Sequence, residues 1–417
     1  MSDIPNIVFV HVDQMCHDAI SALDSPWVQT PNIDRIMADG TAMLRAYSAN
    51  PVCCPARASW YTGRMSSEHN VTINKRPILS SLPDLGQWMS PRGYNCYYTG
   101  KWHVTGRDVS KSFQMLPGGH GHGERGDASV ASAACGFLTD YEEDKPFFLN
   151  VGFLNPHDCC YLTFAPQKPA TKFGIQSHLG DNVPPVPGGF QPDEPFHNPE
   201  GLPMRWNADG VRLYNYYYYR MVEMVDAEVG RVYDTLRNSR HARDTLFIFT
   251  SDHGEFLGNR NKFKKGQLYE PAMHVPLSMV WPGHIPAGRR DDQHFTSGVD
   301  IPATILDAAN LEPMPDMSYA HSLLPLCGES RSAAQWRDTL IAESGSKNQV
   351  SRSVHIDNCK AIFEPGSDVQ VFDLDRDPHE LENVAESPDY AGLLQRARTE
   401  LAEYMAMIDM APSIGVN

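Results

Sequence analysis

Twelve consecutive residues, CCPARASWYTGR from Cys53 to Arg64, place two adjacent thiols ahead of a proline, an arginine and the first turn of a helix. A thiol in that setting has four chemical fates: nucleophile, metal ligand, half of a disulfide, or inert neighbour. Elsewhere acids and imidazoles recur at one kind of place. Asp13-Gln14 closes the apolar run NIVFVHVD, and Asp252-His253 closes TLFIFTSD. Hard oxygens with one imidazole suit calcium, magnesium or manganese better than a thiolate-loving metal. Capping a following helix is the competing use of a lone strand-end Asp, but two such acids from opposite ends of the chain favour a shared site. Lys101 and His103 in GKWHV, His157 in NPHD and Lys265 in KKGQLYE bring cationic or proton-bearing groups to the same edge. With a metal and Arg57 they describe a pocket for a tetrahedral oxyanion, whose oxygens need several donors and whose leaving group needs an acid. The helix after Cys53 would add its free N–H groups and partial positive charge.

Such residues need a scaffold that delivers strand ends to one crevice. Apolar β-type runs at 6–13, 94–100, 146–154 and 245–252 alternate with helical patterns at 31–39, after Pro55, at 82–93, through 216–236 and at 299–311. Thr30 and Gly40 bracket the first helix as caps, with Pro31 in its opening turn. The alternation predicts an α/β fold: a large, mostly parallel sheet sandwiched by helices, binding ligands beyond the carboxyl ends of its strands. Met221, Val225, Val229, Val232 and Leu236 form the apolar stripe of the long helix, and its tyrosine run reads as packing. The Gly/Pro-rich segments 116–126 and 181–203 read as substrate-shaping loops. Beyond about residue 340, the runs LIAES, KAIFE and VQVFDL and the amphipathic stretch Tyr390–Ile408 predict a small antiparallel sheet with a terminal helix. The chain thus divides into a catalytic part, 1–340, and a subdomain, 341–417, packed on it.

Composition excludes some functions. A length of 417 residues with 41% hydrophobic content supports a large core, and a net charge of -16 leaves no basic face for nucleic acid. No apolar run is long enough for a membrane span or has the flanks of an export signal. The nine cysteines are odd in number and lack zinc-site spacing, which fits reduced thiols in a cytoplasmic protein. A homo-oligomer is compatible with the sequence.

The pattern Cys53-x-Pro55-x-Arg57, with Thr62-Gly63-Arg64 after it, resembles the signature of the formylglycine-dependent sulfatases of the alkaline phosphatase superfamily. The similarity continues in the family's order through PNIVFVHVDQ, TPNIDRIMADG, GKWH, PFFLNVGFLNPH, TSDHGE, KGQLYE, VDIPATILDAA and FDLDRDPHELENVA. It implies hydrolysis of a small anionic sulfate ester with release of inorganic sulfate. A maturation enzyme would convert Cys53 into formylglycine, whose hydrate is the nucleophile, while Cys54 fills the variable position. By the same resemblance Asp13, Gln14, Asp252, His253 and residue 53 bind one divalent cation, calcium foremost, with manganese or magnesium as alternatives. Arg57 steadies the hydrate, and Lys101 bridges it to a sulfate oxygen. His103 takes the proton that collapses the intermediate, and His157 and Lys265 hold the sulfate, one acting as acid. Gln14 stands where many members carry a second acid. Asp-Gln with Asp-His resembles choline sulfatases and the related phosphonate monoester and phosphodiester hydrolases, so hydrolysis of those phosphorus esters is the alternative. A sulfated sugar is compatible with His120, His122, Asp158, His178 and His197 in the loops.

Overall fold

The computed structural model describes residues 4–119, 121–162, 182–197, 203–204, 207–328, 336–346 and 349–410. Loop positions 120 and 178 lie outside them, as does the His197 side chain. The main sheet is built from β1 (Asn6–Asp13), β2 (Thr41–Met43), β3 (Asn95–Gly100), β4 (Gln114–Met115), β5 (Phe147–Pro156), β6 (Thr245–Ser251), β7 (Leu277–Val280) and β8 (Arg289–Asp291). Their spatial order is β8-β2-β7-β6-β1-β5-β3-β4. Around β1 the pairings with β5 and β6 are parallel, whereas β7 runs antiparallel to both β6 and β2. The expected mostly parallel sheet is present. The short strands β2, β7 and β8 were not read from the sequence, since runs of three or four residues carry little periodicity.

Strand alternation decides what faces what. Along β1, Val8, Val10 and Val12 enter one core, and Ile7 and Phe9 enter the other. His11 and Asp13 continue the second series. Along β6, Leu246 and Ile248 share that second core, so Thr250 and Asp252 follow on the same side. The first core is covered by α1 (Pro31–Asp39), α3 (Gly123–Asp140) and α4 (Ala208–Asn238), the second by α2 (Cys53–Thr62) and α5 (Asp300–Ala308). Burial of this many aliphatic and aromatic side chains, at roughly 1.5–3 kcal/mol each, is what holds the strand ends in register.

Two local expectations change. Thr30 precedes α1 but does not cap it: its hydroxyl donates to Asp34 Oδ1 at 2.9 Å. The free N–H groups of Asn32 and Ile33 go instead to Asp226 of α4, at 3.3 and 2.8 Å. A carboxylate brought by tertiary packing replaces the local hydroxyl. Part of the expected 116–126 loop is helical, because α3 starts at Gly123, with Glu124 N–H donating to Asp158 Oδ2 at 3.1 Å. A Cβ at residue 123 would stand 2.7 Å from the Asn155 side chain, so glycine here serves close packing rather than flexibility.

A four-stranded antiparallel sheet follows, with Thr339–Ser346, Gln349–Ile356, Cys359–Phe363 and Gln370–Asp373 in sequential order. The second of these was not foreseen, because QVSRSVHI is polar along much of its length. One face packs Leu340, Ala342, Ile362 and Phe372 on Tyr47, Leu268, Tyr269 and Met273. Its other face receives α6 (Ala391–Met410) through Ala397 and Tyr404. At the first face Lys360 is fully buried, with Nζ 2.9 Å from Glu270 Oε1 and also paired with Glu380.

Candidate active site

Position 53 is the first residue of α2, whose N-terminus points at the ends of β1 and β6. The sulfur of Cys53 lies 3.1 Å from His253 Nε2 and 3.8 Å from Asp13 Oδ1. Cys54, one residue on, turns 100° around the helix axis into the second core, where its sulfur meets the Thr105 hydroxyl and N–H, each at 3.2 Å. Neither Cys53 nor Cys54 is in a disulfide. The helix N-terminus offers less to an anion than the sequence suggested. Asn74 Oδ1 already accepts the Cys54 N–H at 3.0 Å, and position 55 is proline, with no N–H to give.

Arg57 sits one turn below and ties the two acids together. Its Nη2 is 3.0 Å from Asp13 Oδ2 and its Nε 2.9 Å from Asp252 Oδ2, all three side chains being buried to 0% exposure. Lys101 Nζ reaches the same Asp13 oxygen at 2.6 Å. The remaining oxygens, Oδ1 of both acids, turn toward His253 Nε2, at 3.9 Å from Asp13 and 3.6 Å from Asp252. Ligand atoms of Asp13, Cys53, Asp252 and His253 all lie within 4.8 Å of one another in a buried cluster. Two carboxylates, one imidazole and a substituent from residue 53 match the donor preferences of a hard or borderline divalent cation.

Burial alone would raise the Asp13 carboxyl, but the Lys101 and Arg57 cations hold it well below the usual carboxylate range. Asp252 is pushed up to about 6 by burial and by the neighbouring Asp13 charge. Two acids this close cannot both ionise cheaply without a cation between them. Burial also pushes His157 down to about 3, keeping its imidazole neutral. Among the described residues, His157 Nδ1 and His103 Nδ1 are buried without a hydrogen-bond partner. Such orphan polar atoms are costly unless a ligand completes them.

Gln14 has φ of 74°, an uncommon backbone for a non-glycine residue. The turn is held from three sides: Gln14 N–H donates to Asp252 Oδ1 at 3.0 Å, Met15 N–H to Ser251 Oγ at 2.8 Å, and Tyr218 OH to Gln14 O at 2.9 Å. Its side-chain oxygen accepts from Lys265 Nζ, and its amide nitrogen donates to Glu255 Oε2. Lys265 thus reaches the Gln14 side chain. Of the sequence-predicted residues, Asp13, Gln14, Cys53, Arg57, Lys101, Asp252, His253 and Lys265 are joined by these contacts. His157 shares their field, and His103 lies two residues past Lys101 with its Nδ1 unpaired.

Several supporting residues escaped sequence reasoning. His11 Nδ1 is 3.3 Å from Arg57 Nη1, and its Nε2 lies 3.3 and 3.4 Å from the Tyr61 and Tyr98 hydroxyls. Its signal was present: a lone imidazole in an apolar strand, two residues before Asp13 and therefore on the same face. Glu255 stood in the quoted TSDHGE but had no assigned task. An open cavity of about 810 Å³ lies at the opposite strand ends near Thr245, Phe247 and Val280 and is lined by none of these residues.

The profile of the family described as Sulfatase matches residues 5–311. The chain belongs to the sulfatase family. It is accordingly a sulfuric ester hydrolase, and the family implies a metal ion at the buried acid cluster. A second profile, described as N-sulphoglucosamine sulphohydrolase, C-terminal, matches residues 258–407. An arylsulfatase of Clostridium perfringens is 27% identical to this sulfatase, covering 93% of this chain and 91% of the relative. A choline-sulfatase of Rhizobium meliloti is 26% identical, covering 92% and 83%. Among solved structures, a 2-O GAG sulfatase superimposes with a TM-score of 0.83 at 21% identity, covering 98% of this chain and 93% of its own. Among the described residues no helix is long and apolar enough to cross a membrane.

Proposed function

We propose that this sulfatase hydrolyses a sulfated sugar or another small organic sulfate at Cys53, using one divalent cation, calcium foremost. The observation that carries the proposal is the buried convergence of Asp13, Cys53, Asp252 and His253, braced by Arg57 on both acids. Asp13, Asp252 and His253, joined by Gln14 and residue 53, would hold the cation. When bound, it supplies Lewis-acid polarisation and offsets the charge of an anionic ester. Formylglycine at position 53 would supply a geminal diol, one hydroxyl for attack and the other for release of sulfate without hydrolysis of a stable ester.

The chain's own residues do the rest. Arg57 keeps both acids ionised and aimed. Lys101 and Lys265 bring positive charge to the ester oxygens, lowering the cost of bringing an anion to a chain of net charge -16. His157, neutral through burial, can donate one hydrogen bond while accepting another, and His103 is placed to take a proton beside Lys101. Cys53 is only 1% exposed, so a maturation enzyme would have to reach it before the chain finishes folding. Nine cysteines with no disulfide among them support a cytoplasmic setting. The division into 1–340 and 341–417 belongs to the same proposal and is supported by the start of the antiparallel sheet at Thr339.

The sugar reading draws support from the 258–407 match to a sulphoglucosamine hydrolase C-terminal region. It is tested on enzyme produced with its maturation system, by comparing kcat/KM for aryl sulfate, choline sulfate, sulfated monosaccharides, an aryl phosphonate and a phosphodiester. A preference for the phosphorus esters would replace the sulfate reading. An unmodified thiol at residue 53 in active enzyme would remove the formylglycine step.

A further inference from the structure

Glu255 lies two residues beyond His253, is 0% exposed, and has no task in the chemistry above. One of its oxygens is taken by the backbone: Oε1 accepts the N–H of Lys264 at 2.5 Å and of Leu257 at 3.4 Å. The other, Oε2, accepts from the side-chain nitrogen of Gln14. That same nitrogen also faces the sulfurs of Cys159 and Cys160, at 3.5 and 3.3 Å, while the Gln14 oxygen accepts from Lys265 and from the Cys160 thiol at 3.4 Å. An amide has one donor end and one acceptor end. Flipping it would set its oxygen against the Glu255 carboxylate and its NH₂ against the Lys265 ammonium, two repulsive contacts in a buried site. Buried charged groups make such mismatches expensive.

We propose that Glu255 is a positioning residue that fixes the orientation of the Gln14 amide, so that an oxygen and not an NH₂ faces the cation site. The inference rests on reading Gln14 as a cation ligand. Glu255 is spatially anchored by backbone donors that do not depend on the ligand, so the lock is set before any cation arrives. The oxygen-facing arrangement therefore costs no reorganisation on binding, which is how outer residues tune metal affinity.

The isosteric pair swap tests it. In Glu255→Gln, the N–H groups of Lys264 and Leu257 select the new amide's oxygen, leaving its NH₂ toward Gln14. The Gln14 oxygen must then turn back to meet that NH₂, presenting nitrogen to the cation. The double variant Gln14→Glu/Glu255→Gln conserves net charge and side-chain size, and a carboxylate at 14 offers oxygen in both directions. Calcium affinity, with manganese and magnesium in parallel, is measured on the full-length chain by competition with a chromogenic chelator. Glu255→Gln should weaken binding about tenfold or more, and the double variant should return to within about threefold of the parent, the range typical of outer-residue changes at metal sites. Unchanged affinity in Glu255→Gln, or a double variant no tighter than the single, overturns the proposal. Should Glu255→Gln fail to fold, Glu255→Asp, whose shorter carboxylate withdraws from the Gln14 amide, takes its place: weaker binding supports the lock and parental affinity overturns it. Gln14→Ala separates the two levels. If it leaves affinity unchanged, Gln14 is not a ligand and both readings fall. If it weakens binding while Glu255→Gln does not, only the positioning role falls.

Discussion

The adjacent cysteines allow a double dissociation between chemistry and stability. Cys54 is 0% exposed, and its sulfur both donates to the Thr105 hydroxyl and accepts the Thr105 N–H at 3.2 Å. Replacing it with alanine leaves a sulfur-sized void and two polar groups short of a partner, a cost of about 1–3 kcal/mol. In a chain of this size that should lower Tm by about 1–3 °C per kcal/mol. Turnover should survive, because Cys54 faces the core and not the acids. Cys53→Ala should behave oppositely. Its sulfur contacts His253 and Asp13 rather than apolar neighbours. Its loss should change stability by no more than about 1 kcal/mol while lowering kcat/KM by at least about 10⁴-fold, as expected for removal of a nucleophile. The assay pairs thermal unfolding with hydrolysis of an aryl sulfate, and conversion of residue 53 is quantified by peptide mass spectrometry in each sample. A folded, matured Cys54→Ala enzyme as inactive as Cys53→Ala would refute the assignment of the nucleophile. So would an active Cys53→Ala.

Three further outcomes are expected. Arg57→Met leaves Asp252 buried without its arginine partner and Asp13 with Lys101 alone; chelator-treated protein should lose about 3–5 kcal/mol in urea unfolding, part of which calcium should restore, and equal stability with and without chelator would argue against a cation between the acids. His69, pushed down to about 3 by burial, has a folded value below its ordinary 6.5. The unfolded chain therefore takes up the proton first, so the His69 contribution is complete above about pH 6.5 and is lost as pH falls toward 3. His69→Gln should flatten that slope in urea unfolding between pH 7 and 4.5, and an unchanged slope would remove the role given to burial. Lys360→Met strips Glu270 and Glu380 of their buried cation and should cost about 3–5 kcal/mol, seen as a lower midpoint by circular dichroism; a stability equal to the parent's would mean that the pair contributes no net energy.

The sequence alone carried the chemistry as residue types at strand ends. Asp13 and Asp252 announced themselves by closing apolar runs, and Cys53 by its place before Pro55 and Arg57. Strand periodicity also fixed that Asp13 shares a face with His11, since side chains two apart lie on one side. The central strands and the helices α1, α2, α4, α5 and α6 were equally legible, because apolar runs and stripes have few other ways to bury themselves, whereas α3 (Gly123–Asp140) was not read. What sequence spacing could not state is which atoms meet across large separations. The Arg57 fork on two acids, the Asp226 cap on α1, the Tyr218 hydroxyl on the Gln14 turn and the Glu255 contact to the Gln14 amide each join residues far apart in the chain. A hydrogen-bonding side chain has several partners open to it until packing removes all but one. Local propensity made Thr30 the natural cap of α1, and the carboxylate delivered by α4 displaced it. For the same reason the twin thiols were equivalent as letters and became different only when the helix turned one toward the acids and the other into the core.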